Sequence, residues 1–159
     1  MSDNPEKQAR ASEVPYTLQL LSLQCLRAQE RDGDEIYIYL NKDKIFTWEK
    51  AGRKMSNQLA GSRGKTCTNE IDFTTAEMQI EDALPRDTFI PMEGYTPEDF
   101  KFHMNHMADI MIMEDDDYLF DRKDDMVGHA FIIEPKAGDH RHVFKWENSM
   151  YKLRYRVML

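Results

Sequence analysis

Apolar and polar residues alternate with a period of two along most of this chain, the spacing that turns one side of a β-strand inward and the other outward. In Tyr16–Leu26, Leu18 and Leu20 share one face, and Leu21 and Leu23 share the other. That change of phase predicts a bulge within or between strands. Ile36, Ile38 and Leu40 alternate with Tyr37 and Tyr39, and the turn Asn41-Lys42-Asp43-Lys44 leads into Ile45–Trp48 as the return strand of a hairpin. Ile71–Phe73 and Met78–Ile80 are short strand candidates. Thr96-Pro97-Glu98-Asp99 suits a turn or one short helix, with Thr96 as cap and Asp99 three residues on. The apolar run Ala108–Met113 predicts a central strand buried on both faces, followed later by another strand at His129–Ile133. Tyr151, Leu153, Tyr155, Val157 and Leu159 alternate with Lys152, Arg154, Arg156 and Met158, which predicts a sheet-edge strand with a basic outer face. Hardly any helix is indicated, so the expected fold is all-β, an antiparallel eight-stranded β-sandwich.

The 159 residues suit one domain. Residues 1–14 are polar and predict a flexible tail, and 15–159 predict a single β-sandwich domain. Cys25 and Cys67 form no disulfide framework and no paired zinc motif, so buried, reduced thiols are expected. No apolar run approaches the ~18 residues that a membrane span needs. The first residues lack the apolar centre of a signal peptide. These features predict a soluble protein, cytoplasmic or exported without a cleaved signal peptide.

Charge sharpens this picture. The chain carries a net −8, which argues against nonspecific nucleic-acid binding because that depends on neutralising phosphates. The charge is also segregated. Residues 41–66 hold seven basic and two acidic groups, while residues 109–125 hold two basic and eight acidic ones. Acids packed that densely repel one another, so cations, a basic partner or solvation must compensate.

The acidic stretch runs between two apolar strands and supplies oxygen ligands only, the donor type that Ca²⁺ prefers. Asp115 and Asp117 give a pair at i and i+2, and Asp124 and Asp125 return after a short excursion. The alternative is an acidic loop that is simply solvated. Spacing excludes an EF-hand, since a loop begun at Asp115 puts Leu119 and Phe120 where an acid or amide and a glycine belong.

The order apolar strand, Asp-x-Asp, excursion, Asp-x-Val-Gly, apolar strand resembles the calcium-binding half of a C2 domain, over Asp115, Asp117 and Asp125 to Gly128. Asp32-Gly33-Asp34-Glu35-Ile36-Tyr37-Ile38 stands where that family has a first acidic loop running into a strand. The chain departs from the family pattern in having Ile36 where a proline is usual, and in a longer excursion between Asp117 and Asp125. The resemblance implies an eight-stranded sandwich with one or two Ca²⁺ ions at its loop end. It implies ligand roles for Asp115, Asp117 and Asp125, and then for Asp34, Glu35 and Asp32. For Asp32-Gly33-Asp34 a plain turn is the alternative reading.

Lys42, Lys44, Lys50, Arg53 and Lys54 form a basic sector able to meet an anionic membrane surface or an acidic protein partner, the alternative being an ordinary charged surface. Tyr118, Leu119 and Phe120 at the middle of the acidic loop could insert into a membrane or a partner groove once charge is neutralised, or tuck back onto the sandwich. Gly61–Thr66 lacks the first glycine of a phosphate-binding loop, because Leu59 stands there. The His103/His106 and His140/His142 pairs have no thiolate pair or HExxH helix beside them, and read as loop or surface histidines. No nucleophile motif is present. The expected function is therefore non-enzymatic: a Ca²⁺-binding C2-like module for an anionic membrane or a protein partner. A structural or adaptor subunit of a larger assembly, with Ca²⁺ incidental or absent and homo-oligomers allowed, is the alternative.

Overall fold

Twelve residues, Tyr16–Arg27, form the longest strand, β1. In this computed structural model, residues 15–28, 34–51, 69–79, 89–114, 125–132, 135–146 and 149–159 are described, Asp125 by its backbone alone. The phase change expected in β1 is a bulge: its register against the last strand shifts between Leu20 and Ser22. The extra residue returns Leu23 and Cys25 to the core on the side of Leu18 and Leu20, all four being fully buried.

The strands that follow are β2 (Ile36–Leu40), β3 (Asp43–Thr47), β4 (Glu70–Asp72), β5 (Glu77–Gln79), β6 (Ile90–Pro91), β7 (Lys101–Met104), β8 (Ala108–Glu114), β9 (Asp125–Ile132), β10 (Gly138–Trp146) and β11 (Ser149–Met158). Eight of the eleven described strands have four residues or more, and the other three are two- or three-residue pieces. They make two antiparallel sheets, one ordered β10-β11-β1-β4-β5-β6 with β7 also paired to β1, the other β3-β2-β8-β9. β7 takes the first part of β1, from Tyr16 to Gln19, and β4 takes Ser22 to Gln24, so the bulge marks the handover between partners. One core fills the space between the sheets, with Leu18, Leu20, Leu23, Ile71 and Leu153 from the first and Ile36, Ile38, Phe46, Ile110 and Ile112 from the second.

Several expectations are corrected by the pairing. Trp48 does not extend β3 but opens a one-turn helix, α1 (Trp48–Ala51). Thr47 caps that turn, its Oγ1 accepting from the Lys50 N–H at 3.2 Å. β8 is central but not buried on both faces: Ala108, Ile110 and Ile112 are buried, whereas Asp109, Met111 and Met113 are half-buried. β11 is not an edge, because it lies between β1 and β10. Its basic side chains stay on the outer surface, where their apolar stems cover the sheet and their charges reach water. The edge on this side is β10, a strand with no counterpart in the sequence expectations, and it carries His140, half-buried, and His142, exposed. At Thr96 the expected turn or short helix is present as a 3-10 turn, Pro97–Phe100, with the Asp99 carboxylate accepting from the Thr96 N–H at 2.8 Å.

Aromatic rings pack between the sheets. Phe73 and Phe100 have centroids 4.4 Å apart, and Phe46 stacks on Tyr95 at 5.3 Å. The Tyr95 hydroxyl also accepts from the Thr47 N–H at 2.8 Å, so this polar tip is not wasted on burial. Gly128 is fixed by packing, since a Cβ there would stand 2.2 Å from the Phe144 ring. Any larger residue would push β9 and β10 apart. The tail 1–14 and Cys67 lie outside the described residues.

Candidate functional site

Strand pairing brings the two acidic stretches to one end of the second sheet. Ile36 stands opposite Glu114, and Glu114 stands opposite Asp125. Glu114 and Asp125, the described ends of the acidic run, therefore lie beside the start of β2, where Asp34 and Glu35 sit. Alternation dictates this meeting: β2 and β8 must turn Ile36, Ile38, Ile110 and Ile112 inward together, and a slip of one residue would expose them all.

The described acids of this end have separate surroundings. Asp34 is fully buried and its Oδ2 accepts from the hydroxyl of Tyr151, also fully buried, in a short hydrogen bond. Tyr151 lies across from Cys25 in the β1–β11 pair. Burial first, then neighbouring Cys25 and Asp34, raise the Tyr151 hydroxyl well above its ordinary value of 10.0. The bond ties the chain just before β2, in one sheet, to β11 in the other. Glu35 is half-buried and Glu114 buried. Of the expected ligands, Asp32, Asp115, Asp117, Asp124 and the Asp125 side chain lie outside the described residues, as do Tyr118, Leu119 and Phe120. Among the described residues, no three His, Cys, Asp or Glu side chains cluster so as to hold a metal ion.

At the opposite end of β2, the Asn41-Lys42 turn carries positive φ at both residues, 49° and 72°. Asn41 clamps this turn to β8. Its N–H donates to the Asp109 carbonyl at 2.8 Å, and its Oδ1 accepts from the Asp109 N–H at 2.6 Å. Lys44 extends over two rings on the outer face of the second sheet, with Nζ 4.5 Å from the Tyr37 centroid and 5.6 Å from that of Tyr39. Lys50 does the same over Tyr95 at 4.4 Å. Such cation–π placement holds an ammonium at the surface without neutralising it. Arg53 and Lys54 lie outside the described residues.

The same outer face holds features that the sequence reading did not single out. Tyr39, Lys42, Asp109 and Met111 line a cavity of about 300 Å³. The Asp109 carboxylate is 2.5 Å from His129 Nε2, and the His129 ring lies 4.4 Å from that of Phe131. The signal for Tyr37 and Tyr39 was present in their alternation with Ile36, Ile38 and Leu40. The Asp109–His129 contact depends on β8–β9 register and has no local signature. His103 is on β7, with Nδ1 3.4 Å from Thr17 Oγ1, and His140 donates from Nε2 to the Lys136 carbonyl at 2.7 Å.

No helix among the described residues is long and apolar enough to cross a membrane. No protein-family model matches the chain, and no curated protein matches it. The chain is similar to a solved structure described as that of a C2 domain, at 12% identity over 91% of this chain and 98% of the other, with a TM-score of 0.37. A likeness that slight carries no argument, and the all-β antiparallel sandwich stands on the chain's own strand pairing.

Proposed function

We propose that this chain is a non-enzymatic C2-like module whose acidic loops take up one or two Ca²⁺ ions and so engage an anionic membrane surface or a protein partner. The observation that carries the reading is the register of β2, β8 and β9, which places Ile36, Glu114 and Asp125 side by side. Two acidic stretches that lie far apart in sequence thus open from one end of one sheet. Their donors are carboxylates without thiolates, which suits a hard cation. Asp115, Asp117, Asp124 and Asp125 are the proposed principal ligands, with Asp32, Asp34 and Glu35 beside them. Asp34 also has a structural duty through Tyr151. Ion uptake would turn the loop end from repelling to attracting anionic groups. Lys42, Lys44, Lys50, Arg53 and Lys54, with Tyr118, Leu119 and Phe120, are the proposed partner contacts.

The buried Asp34–Tyr151 bond favours a second reading, a structural or adaptor subunit in which acids of this end serve the fold and Ca²⁺ is incidental. Co-sedimentation with phosphatidylserine vesicles, with Ca²⁺ and with chelator, separates the two. The first reading predicts Ca²⁺-dependent pelleting, or a Ca²⁺-dependent rise in melting temperature if the partner is a protein. An Asp115→Asn/Asp117→Asn variant should lose either response. Neither response in the parent chain would leave the adaptor reading.

A further inference from the structure

The outer edge of the first sheet is the nine-residue strand β10, and among the described strands it pairs with β11 alone. A long exposed edge presents a row of backbone donors and acceptors to any strand that can approach. Two large apolar side chains on β10 are exposed, Val143 at 42% and Trp146 at 47%. At its other end, Gly138 has φ +124°, with no atom within 4 Å of where a Cβ would stand.

We propose that β10 is a self-pairing edge that joins a second copy of this chain, antiparallel, about a two-fold axis at His142. In this register Gly138 of one copy faces Trp146 of the other, and Asp139 faces Lys145; each contact occurs twice, as an isologous interface requires. Directly opposed residues in an antiparallel pair share a face, so each Trp146 ring lies over the open space at the opposite Gly138. Aromatic cover of an edge glycine stabilises strand pairing. Asp139 already receives Arg156 from β11, Nε to Oδ1 at 2.6 Å. That ion pair holds the carboxylate at the edge, facing Lys145 of the second copy. Arg141 and Lys145 otherwise defend β10 against indiscriminate strand addition. The charge pattern admits a strand with an acid opposite Lys145, and β10 itself supplies one.

Sedimentation of the full chain from low micromolar to near-millimolar concentration, with chelator present, tests this. The expected result is a doubling of mass with concentration, accompanied by a blue shift of tryptophan emission, since Trp48 is already buried and Trp146 is the ring to be covered. Trp146→Ala and Lys145→Asp should each raise the dissociation constant about tenfold or more. Lys101→Asp, the same charge change on β7, should leave association intact. A chain that stays at monomer mass throughout overturns the proposal. So does a doubling that survives both β10 substitutions, is abolished equally by Lys101→Asp, or leaves the emission unmoved.

Discussion

Lys42 is held at φ 72° because the tight β2–β3 turn needs a left-handed residue after Asn41. Such backbone costs an ordinary side chain ~1–2 kcal/mol, whereas glycine adopts it freely and gives back ~0.5–1 kcal/mol through a more flexible unfolded chain. Lys42→Gly should therefore stabilise the fold by about 0.5–1 kcal/mol, read as a higher urea midpoint with an unchanged slope. Tyr151 makes the opposite case. Tyr151→Phe leaves the buried Asp34 carboxylate one donor short, and should cost about 1–3 kcal/mol at neutral pH. Its pH signature follows from the raised Tyr151 value. The folded protein keeps this proton after the unfolded chain has released it. The tyrosine's stabilisation is thus complete below about pH 10 and falls as pH rises through the unfolded value toward the folded one. Denaturant midpoints measured upward from pH 9 should fall less steeply in Tyr151→Phe than in the parent chain. Composition showed the acids but could not separate their surroundings, because Asp34 becomes a buried acceptor only when β11, more than a hundred residues away, is laid across β1.

At the scale of elements, the phase change in β1 was legible because a bulge leaves a local mark on alternation. Removing its extra residue, Leu21, would slide Leu23 and Cys25 to the solvent face or break the β1–β11 register. Exposing each large side chain costs about 1.5–3 kcal/mol. Deletion of Leu21 should abolish a cooperative melting transition by circular dichroism, whereas Leu21→Ala should keep one. The β2–β3 hairpin and the Thr96 cap were legible for the same reason, being short-range. β10 was not. Its residues are exposed on both faces apart from Phe144 and a half-buried His140, so no alternation betrays it. β11 is legible as a strand but not as an inner one, since a basic face on an inner strand and on an edge strand look alike in sequence. The long apolar run of β8 suggested burial on both faces. Methionine, flexible and polarizable, instead sits half-buried at positions 111 and 113 beside Tyr39 and Tyr37.

At the scale of the whole molecule, charge and topology act together. The acidic run of residues 114–125 leaves and re-enters the second sheet at one end, through Glu114 and Asp125, while Lys42 marks the other end of β2 and Lys44 lies on the outer face. A fold stabilised by its apolar core bears this polarity, and on the proposed reading a bound cation would relieve repulsion among the acids. Binding to the folded state alone then adds stability that grows with ligand concentration. The fold class could be read from periodicity, but whether the acids are ligands depends on side chains that periodicity does not place. Calorimetric titration of Ca²⁺ into the chelator-stripped chain tests the account at its centre. It predicts saturable heat with one or two ions bound per chain, lost in the Asp115→Asn/Asp117→Asn variant. Absence of heat up to millimolar Ca²⁺, or the same heat in the variant, would contradict it.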